Sequence, residues 1–475
     1  MIPIPFADGA YTSDSLNISA QRCLNLYPEI NLFNSKTIVS LKRTPGLTLF
    51  TTLSGMGSVR CLYAASNGSF FGVCANTVSM IASNGDLTVI GELTTNSGIV
   101  RMSDNGFDLI IVDGRSGEGW TYIFATEVFA QITDPAYPGG THVAFINQRY
   151  LVNKPNTQQY YWSALSDGAN WTDGGVASAE ATPDNITALI AFGGEVWLFG
   201  PGSYEVAYNT ETIFTRLPGS PRDIGITAPD SLSKNDNNLF WLGGDENGHG
   251  IVYASEGYRA RRISTHAIEQ AIQGYALISD AIGYCYQQLG HDFYVLSFPT
   301  SKTTWCYDLS TDRWHERNYT YPNVEFLNNS FMHKGIVKEF YNGKVYVGDW
   351  SNGNVYELDV NNYSDNGDRI HRERSSPHVW KNLERSFYSS FQLDVESGVG
   401  LNGDGQGSNP QIMMDMSDDG GHTYGKEYWE SAGKIGEYKK RVKWDRLGSS
   451  RNRIFRIKMT DPVNWVILGA YVEVE

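Results

Sequence analysis

The sequence predicts an all-β protein: a β-propeller of about seven blades, with six as the alternative count, between an extended N-terminal arm and a C-terminal β-sandwich-like domain. Three observations carry this. Aromatic residues make up 13% of the chain and charged residues only 19%, with 49 glycines among 475 positions, a mix that suits pleated, half-buried strands joined by tight turns. A unit of short alternating strands and polar turns recurs at the roughly 40-residue spacing of propeller blades. The composition then shifts after Tyr363 to the polar stretch Ser364 to Pro377 (SDNGDRIHRERSSP), which reads as an exit from the ring.

The boundaries follow: residues 1–55 form the arm, 56–363 the propeller and 364–475 the C-terminal β-domain. In the arm, Pro3, Pro5, Pro28 and Pro45 interrupt any long ladder, and the apolar positions keep no sustained period. The repeated units run Leu62 to Leu93, Ile99 to Ile132, Val143 to Trp171, Ile186 to Leu217, Leu232 to Ile263, Ile278 to Arg317 and Phe326 to Val360. Asn67-Gly68 and Asn84-Gly85 mark hairpin turns in the first. The clearest unit holds Phe293 to Asn318, where alternating strands meet two polar turns and Trp305 and Trp314 are expected to fill gaps between blades. One helix is expected at 265–275, capped by Ser264 or Thr265, with Ile268, Ala271 and Ile272 sharing a face. Beyond 377, strands at Phe387 to Val395, Gln411 to Met416, Arg441 to Trp444, Ile454 to Met459 and Val466 to Val474 compose the sandwich, with the Gly-rich Gly398 to Pro410 as a long loop.

A formal charge of −15 argues against a general nucleic-acid binder, because neutralising phosphates needs a basic surface, although an acidic wall facing DNA stays compatible. Cys23, Cys61, Cys74, Cys285 and Cys306 are odd in number and scattered without a CxxC, so reduced thiols are expected rather than disulfides or zinc. The N-terminus lacks a basic region followed by an apolar run, and no long apolar window suggests a membrane anchor.

Chemistry-bearing patterns are few. Ser417 to Tyr424 (SDDGGHTY) fits an Asp box: Ser417, Asp419, Gly421 and Thr423 stand at the spacing of a turn in which the aspartate bonds backbone amides. Tyr424 is expected to cover its apolar side. Sialidases carry such boxes, so a propeller glycosidase or a glycan-binding module acting on host surface polysaccharide is the rival reading. The box is a turn device, however, and no set of arginines with a tyrosine nucleophile and its acid and base stands out. No catalytic, cofactor-binding or metal-binding residue is assigned: the nine His are dispersed, and P-loop, GxSxG and strand-borne GxGxxG patterns are absent. The Asp245-Glu246 pair reads as solvated turn acids. Three basic clusters, Arg259/Arg261/Arg262, Arg369/Arg372/Arg374 and Lys439/Lys440/Arg441, read as solvated faces or as docking patches for acidic partners.

Several short motifs in a fixed order add a resemblance. Arg262 to Tyr275 (RISTHAIEQAIQGY), Ser279-Asp-Ala281, Gly290-His291, Phe298-Pro299 and Tyr307-Asp308 resemble the podovirus packaged-DNA stabilisation proteins, tail hub components of short-tailed bacteriophages. Asn25 to Pro28 and Thr44 to Leu47 in the arm agree, as do Ser417 to Tyr424, Lys440 to Trp444, Arg446 to Gly448 and Ile454 to Arg456 near the end. The resemblance implies a structural virion protein of the tail, not an enzyme and without a cofactor, assembled in the host cytoplasm. It implies a homo-hexamer below the portal-adaptor ring that retains packaged DNA and docks a tail needle or plug and tailspikes or fibres. DNA would pass through without specific binding, which suits a negatively charged chain.

Overall fold

The computed structural model describes residues 1–475 except 33–34, 115, 211–212, 246–247, 321–329 and 383. The start of the expected unit Phe326 to Val360, and Glu246 of the turn acids, fall outside the described residues. Strands dominate throughout, and four-stranded antiparallel sheets surround one axis. Six are built from consecutive chain. They begin at Val59–Ala64, Val100–Asp104, Val143–Ile146, Ala188–Phe192, Gly225–Ile226 with Ser233–Lys234, and Ile282–Gln288. A further sheet is composite: Gly335–Tyr341, Lys344–Asp349 and Asn354–Asp359 take Gly46–Thr52 from the arm as their outer strand. The first strand of each sheet lies nearest the axis. We number these sheets blades one to seven in that order.

Burial explains the sequence pattern of each blade. The second strand of blade two, Asp108–Asp113 (DLIIVD), is buried at every position because sheets cover both of its faces, whereas its outer strand Val128–Gln131 is mostly exposed. The Asn-Gly turns work as expected, with Gly68 at φ 86° linking Val59–Ala64 to Phe70–Cys74. Blades are also stapled to one another. The fully buried Arg60 of blade one donates to Asp113 of blade two at 2.8 Å and to the carbonyls of Ala75, Thr95, Ser97 and Gly98.

The sandwich is not a separate appendage. One of its sheets runs Val442–Asp445, Ser386–Val395, Val466–Val474, Val39–Arg43, Leu26–Ile30, with Ile2–Ile4 also paired to Val466–Val474, so arm strands complete it. The facing sheet carries Arg372–Ser375, Asn452–Met459, Gln411–Ser417 and Tyr428–Ser431. It continues through Cys23–Leu24 directly into the outer strand of blade six, Arg313–Thr320. Phe391 and Phe455 stack between the two sheets with centroids 4.4 Å apart. One hydrophobic core spans Phe240, Tyr294, Trp305 and Trp314 of the propeller and Phe391, Phe455 and Trp465 of the sandwich. Trp314 donates its indole N–H to the Ile263 carbonyl at 2.9 Å, so it packs between blades.

The helix spans His266–Gln273. Thr265 is its N-cap, accepting from the Ile268 amide at 3.4 Å, while the hydroxyl of Ser264 donates to the buried Glu269 carboxylate instead. Arg262 pairs with that same carboxylate, which fixes the helix to blade five.

Candidate functional site

The Asp box sits between Gln411–Ser417 and Tyr428–Ser431, in the turn that joins two sandwich strands. Asp419 Oδ1 accepts from the Thr423 amide at 2.9 Å and from the Ser417 hydroxyl at 2.7 Å, and Oδ2 accepts from the Thr423 hydroxyl at 2.5 Å. Ser417 Oγ in turn accepts from the Gly421 amide at 2.8 Å. These donors, chiefly the two from Thr423, hold the Asp419 carboxyl well below the usual carboxylate range. All four residues are therefore engaged in shaping the turn.

The turn also seats the arm. Gly421 has φ 101°, and a Cβ there would come within 2.8 Å of the Ala20 side chain, while a Cβ on Gly420 would strike the Asn17 carboxamide. The arm hairpin Tyr11–Thr12/Ala20–Gln21 thus lies against the box, and His378 bonds the Leu16 carbonyl at 2.8 Å. Tyr424 departs from expectation: its ring lies 3.5 Å beneath the guanidinium of Arg456, which pairs with Asp415.

The basic clusters separate into different environments. Arg372 and Arg374 are fully buried, so of their cluster only the exposed Arg369 faces solvent, and the other two form neither a solvated face nor a docking patch. The strand Arg372–Ser375 is paired on both sides and covered on both faces, leaving no route for these side chains to water. Arg374 instead gathers the arm: Nε donates to the Phe6 carbonyl at 2.8 Å, Nη1 to the Gly9 carbonyl at 2.8 Å and Nη2 to Gln21 Oε1 at 2.7 Å. Nearby, Arg22 bridges Glu316 of blade six and Glu373 of the sandwich at 2.8 and 3.6 Å. Arg261 and Arg262 pair with Asp312 and Glu269.

The Lys439/Lys440/Arg441 run does lie at the surface. Lys440 pairs there with Glu430, and Trp429, Ile435 and Tyr438 in the same stretch of chain are 58, 54 and 74% exposed. Trp429 belongs to Tyr428–Ser431, which ends its sheet and so presents an edge.

A second concave feature is the axial channel. The side chains around it come from the first strands of the blades and include Arg60, Arg101, Lys234 and Lys338, with Asp230 on the short 3-10 turn Pro229–Ser231. Arg101 of blade two reaches Asp230 of blade five at 2.5 Å, so an ion pair crosses the mouth. Sequence reading singled out none of these residues. The four cations stand in different blades, so the sequence carries no local signal that joins them.

All five cysteines are buried and unpaired, and burial pushes the thiols of Cys23, Cys61, Cys285 and Cys306 up to about 12. Among the described residues no group of His, Cys, Asp and Glu is placed to hold a metal ion, and no helix is long and apolar enough to cross a membrane.

Fold and site together define the class: a β-propeller locked to a β-sandwich by its own N-terminal arm, with Arg22, Arg374 and the Asp-box turn engaged in joining the parts. Family models described as bacteriophage P22 Gp10, β-propeller, and bacteriophage P22 Gp10, β-sandwich, match residues 2–363 and 371–475. The chain belongs to this phage stabilisation family and is a structural component of the virion tail. No curated protein matches it. Solved structures similar to it include a catalytically inactive virginiamycin B lyase from Staphylococcus aureus, at 9% identity and TM-score 0.44, covering 66% of this chain and 98% of that one. The RRP9 WD40 repeats, at 11% identity and TM-score 0.44, cover 67% and 99%. The Neurospora crassa Pan2 WD40 domain, at 9% identity and TM-score 0.43, covers 66% and 96%.

Proposed function

We propose that the chain is the subunit of a tail hub: six copies form a ring below the portal and its adaptor, close the filled head, and offer sites for a tail needle and for tailspikes or fibres. The observation that carries this reading is the match of both family descriptions, in order, across nearly all of the chain.

Physical features support it. A plug must resist load, and the continuous sheet from blade six through Cys23–Leu24 into the sandwich makes propeller and sandwich one mechanical body. The Arg101–Asp230 ion pair crosses the mouth of the single propeller's channel. The conduit on this reading lies between copies, and the charge of −15 on each keeps its wall from gripping the polymer. Trp429, Ile435 and Tyr438 beside the Lys439/Lys440/Arg441 run suit docking against an acidic partner with an apolar centre. A glycan-cleaving role finds no support in the Asp box, whose side chains are consumed by the turn.

The test is to mix the purified protein with a portal-adaptor assembly and image the product by electron microscopy. A ring of six copies below the adaptor is expected, together with DNA loss from particles that lack the protein. Particles without it that keep their DNA and infect would refute the reading.

A further inference from the structure

We propose that neighbouring copies in the hub ring, whose existence this contact presupposes, join head to tail: a basic, aromatic patch on the sandwich of one copy seats against the acidic outer edges of blades one to three of the next.

The patch is built by two turns that strand pairing brings together. Trp380 pairs with Asn452, Phe387 with Ser449 and Ser386 with Ser450, and Arg385 Nε donates to the Ser449 hydroxyl at 2.9 Å. Trp380 and Phe387 are 58 and 62% exposed. In the same two turns Lys381, Arg385, Arg446 and Arg451 are all exposed. Among the described residues none of these four cations has a carboxylate within ion-pair distance, and the acids Asp418 and Asp445 of this region pair with Arg453 and Lys443 instead. Glu384 and Glu475 are the other exposed acids there, so the patch keeps a positive excess. Arginine beside exposed aromatic rings is the composition of an interface centre, set here on a chain whose formal charge is −15.

The chain itself supplies the complement. The outer strands of blades one to three, Leu87–Glu92, Val128–Gln131 and Gly175–Ser178, each end their sheet and so present an open edge. Each exposes a valine, Val89, Val128 and Val176, and each has an exposed carboxylate in it or within two positions of it, Glu92, Glu127 and Glu180. No Lys or Arg occurs in residues 86–92, 127–131 or 173–180, and Arg60 and Arg101 of these blades pair with Asp113 and Asp230. The remaining blades have a different rim. The outer strands of blades four and five carry Arg216 and the Arg259–Arg262 run, blade six continues into the sandwich, and blade seven ends on the arm strand.

Patch and rim lie on different parts of the molecule. The sandwich joins the propeller at blade six, and blades two and three are the farthest from six in ring order. Two complementary surfaces placed apart on one chain make a heterologous contact, which closes into a ring when repeated through a suitable rotation. Copies of so acidic a chain repel one another, and a basic surface meeting an acidic one reverses that repulsion at the point of contact.

The experiment adds the full-length protein to a portal-adaptor assembly and counts rings by electron microscopy. The wild type is expected to form closed rings. The patch variant Lys381→Glu, Arg385→Glu, Arg451→Glu and the rim variant Glu92→Lys, Glu127→Lys, Glu180→Lys should each lower the ring-bearing fraction at least about tenfold. Every substituted side chain is exposed, so both variants should stay folded, as circular dichroism checks. Mixed in equal amounts, the two should recover rings of alternating copies, because the reversed patch of one then meets the reversed rim of the other. In wild-type rings assembled from isotope-labelled and unlabelled protein, carbodiimide should couple Lys381 to rim carboxylates in mixed-label pairs, read by mass spectrometry. Rings undiminished in either variant, no recovery on mixing, or coupling of Lys381 to the adaptor instead would each overturn this contact and leave the hub reading standing. A wild type that forms no ring would overturn both.

Discussion

Replacing Arg374 by methionine tests whether the arm is a structural ligature or a loosely packed tail. Methionine retains the apolar stem and much of the volume, so the change isolates the loss of the guanidinium. Of its four acceptors, the Arg22 carbonyl keeps the Ser375 amide, and three lose the donor: the carbonyls of Phe6 and Gly9, both buried, and the Gln21 side chain. A buried acceptor left without its partner costs about 1–3 kcal/mol. The variant also no longer has to desolvate a charge, which offsets part of that loss, so the low end applies to each and the sum is about 3 kcal/mol. The loss is local first, because the three acceptors all lie in residues 6–21. Limited proteolysis should therefore cut the arm of the variant under conditions where the wild type is intact, before any cut in blades one to four. Denaturant unfolding should shift by the amount above. An arm equally protected in both proteins, with unfolding unchanged to within about 0.5 kcal/mol, would refute the assignment of Arg374 as the anchor.

Three further outcomes are expected. Gly421→Ala, at φ 101° with its new methyl 2.8 Å from Ala20, should displace the arm hairpin, seen as faster hydrogen exchange at residues 11–21 with the propeller unaffected. Trp314→Phe should lose about 1–3 kcal/mol by leaving the buried Ile263 carbonyl without its indole donor, read by chemical denaturation. Asp365, buried beside the arm strand Gly46–Thr52, has its pKa raised to about 7 by desolvation. Its folded form favours the proton, so this group destabilises the protein above pH 7 and the cost is relieved as pH falls from 7 toward 4. Wild-type stability should rise over that window, whereas Asp365→Asn should be nearly flat. Below about pH 4 the trend reverses, because the unfolded chain takes up a proton at Glu373 that the folded protein, where Arg22 holds this carboxyl down to about 2 against the cost of its burial, does not bind until lower pH. Melting temperatures across pH 2–8 check both.

What could be read from the sequence was whatever is written locally. The blade unit around Phe293 to Asn318 declares itself because alternation, turn residues and aromatics all fall within a few residues of one another. The Thr265 cap and the Asp-box turn are legible for the same reason, as their donors and acceptors lie within about four positions. The arm was not legible. Its strands pair with partners hundreds of positions away, and short segments such as Cys23–Leu24 carry no period of their own. Arg372 and Arg374 misled for a related reason: a run of charge reads as solvated unless the covering strands are known. The side chains that line the channel, among them Arg60, Arg101, Lys234 and Lys338, stand far apart in the chain, and only ring geometry brings their strands around one cavity.

The composite blade has a consequence for how the protein is made. Leu47, in the strand that completes it, bonds Asn362 across 315 positions of chain. At 5–20 residues per second, synthesis leaves that strand without its partner for about 15 to 60 s. Its sequence, GLTLFTT, is apolar and suited to pairing, while the nascent blades ahead of it still have open edges. The order of translation therefore makes ring closure the last event in the propeller, and a neighbouring nascent chain could offer the same strand first. Exchange of Gly46–Thr52 between two polypeptides is the misassembly this topology invites, and its frequency should rise with the density of ribosomes on the message.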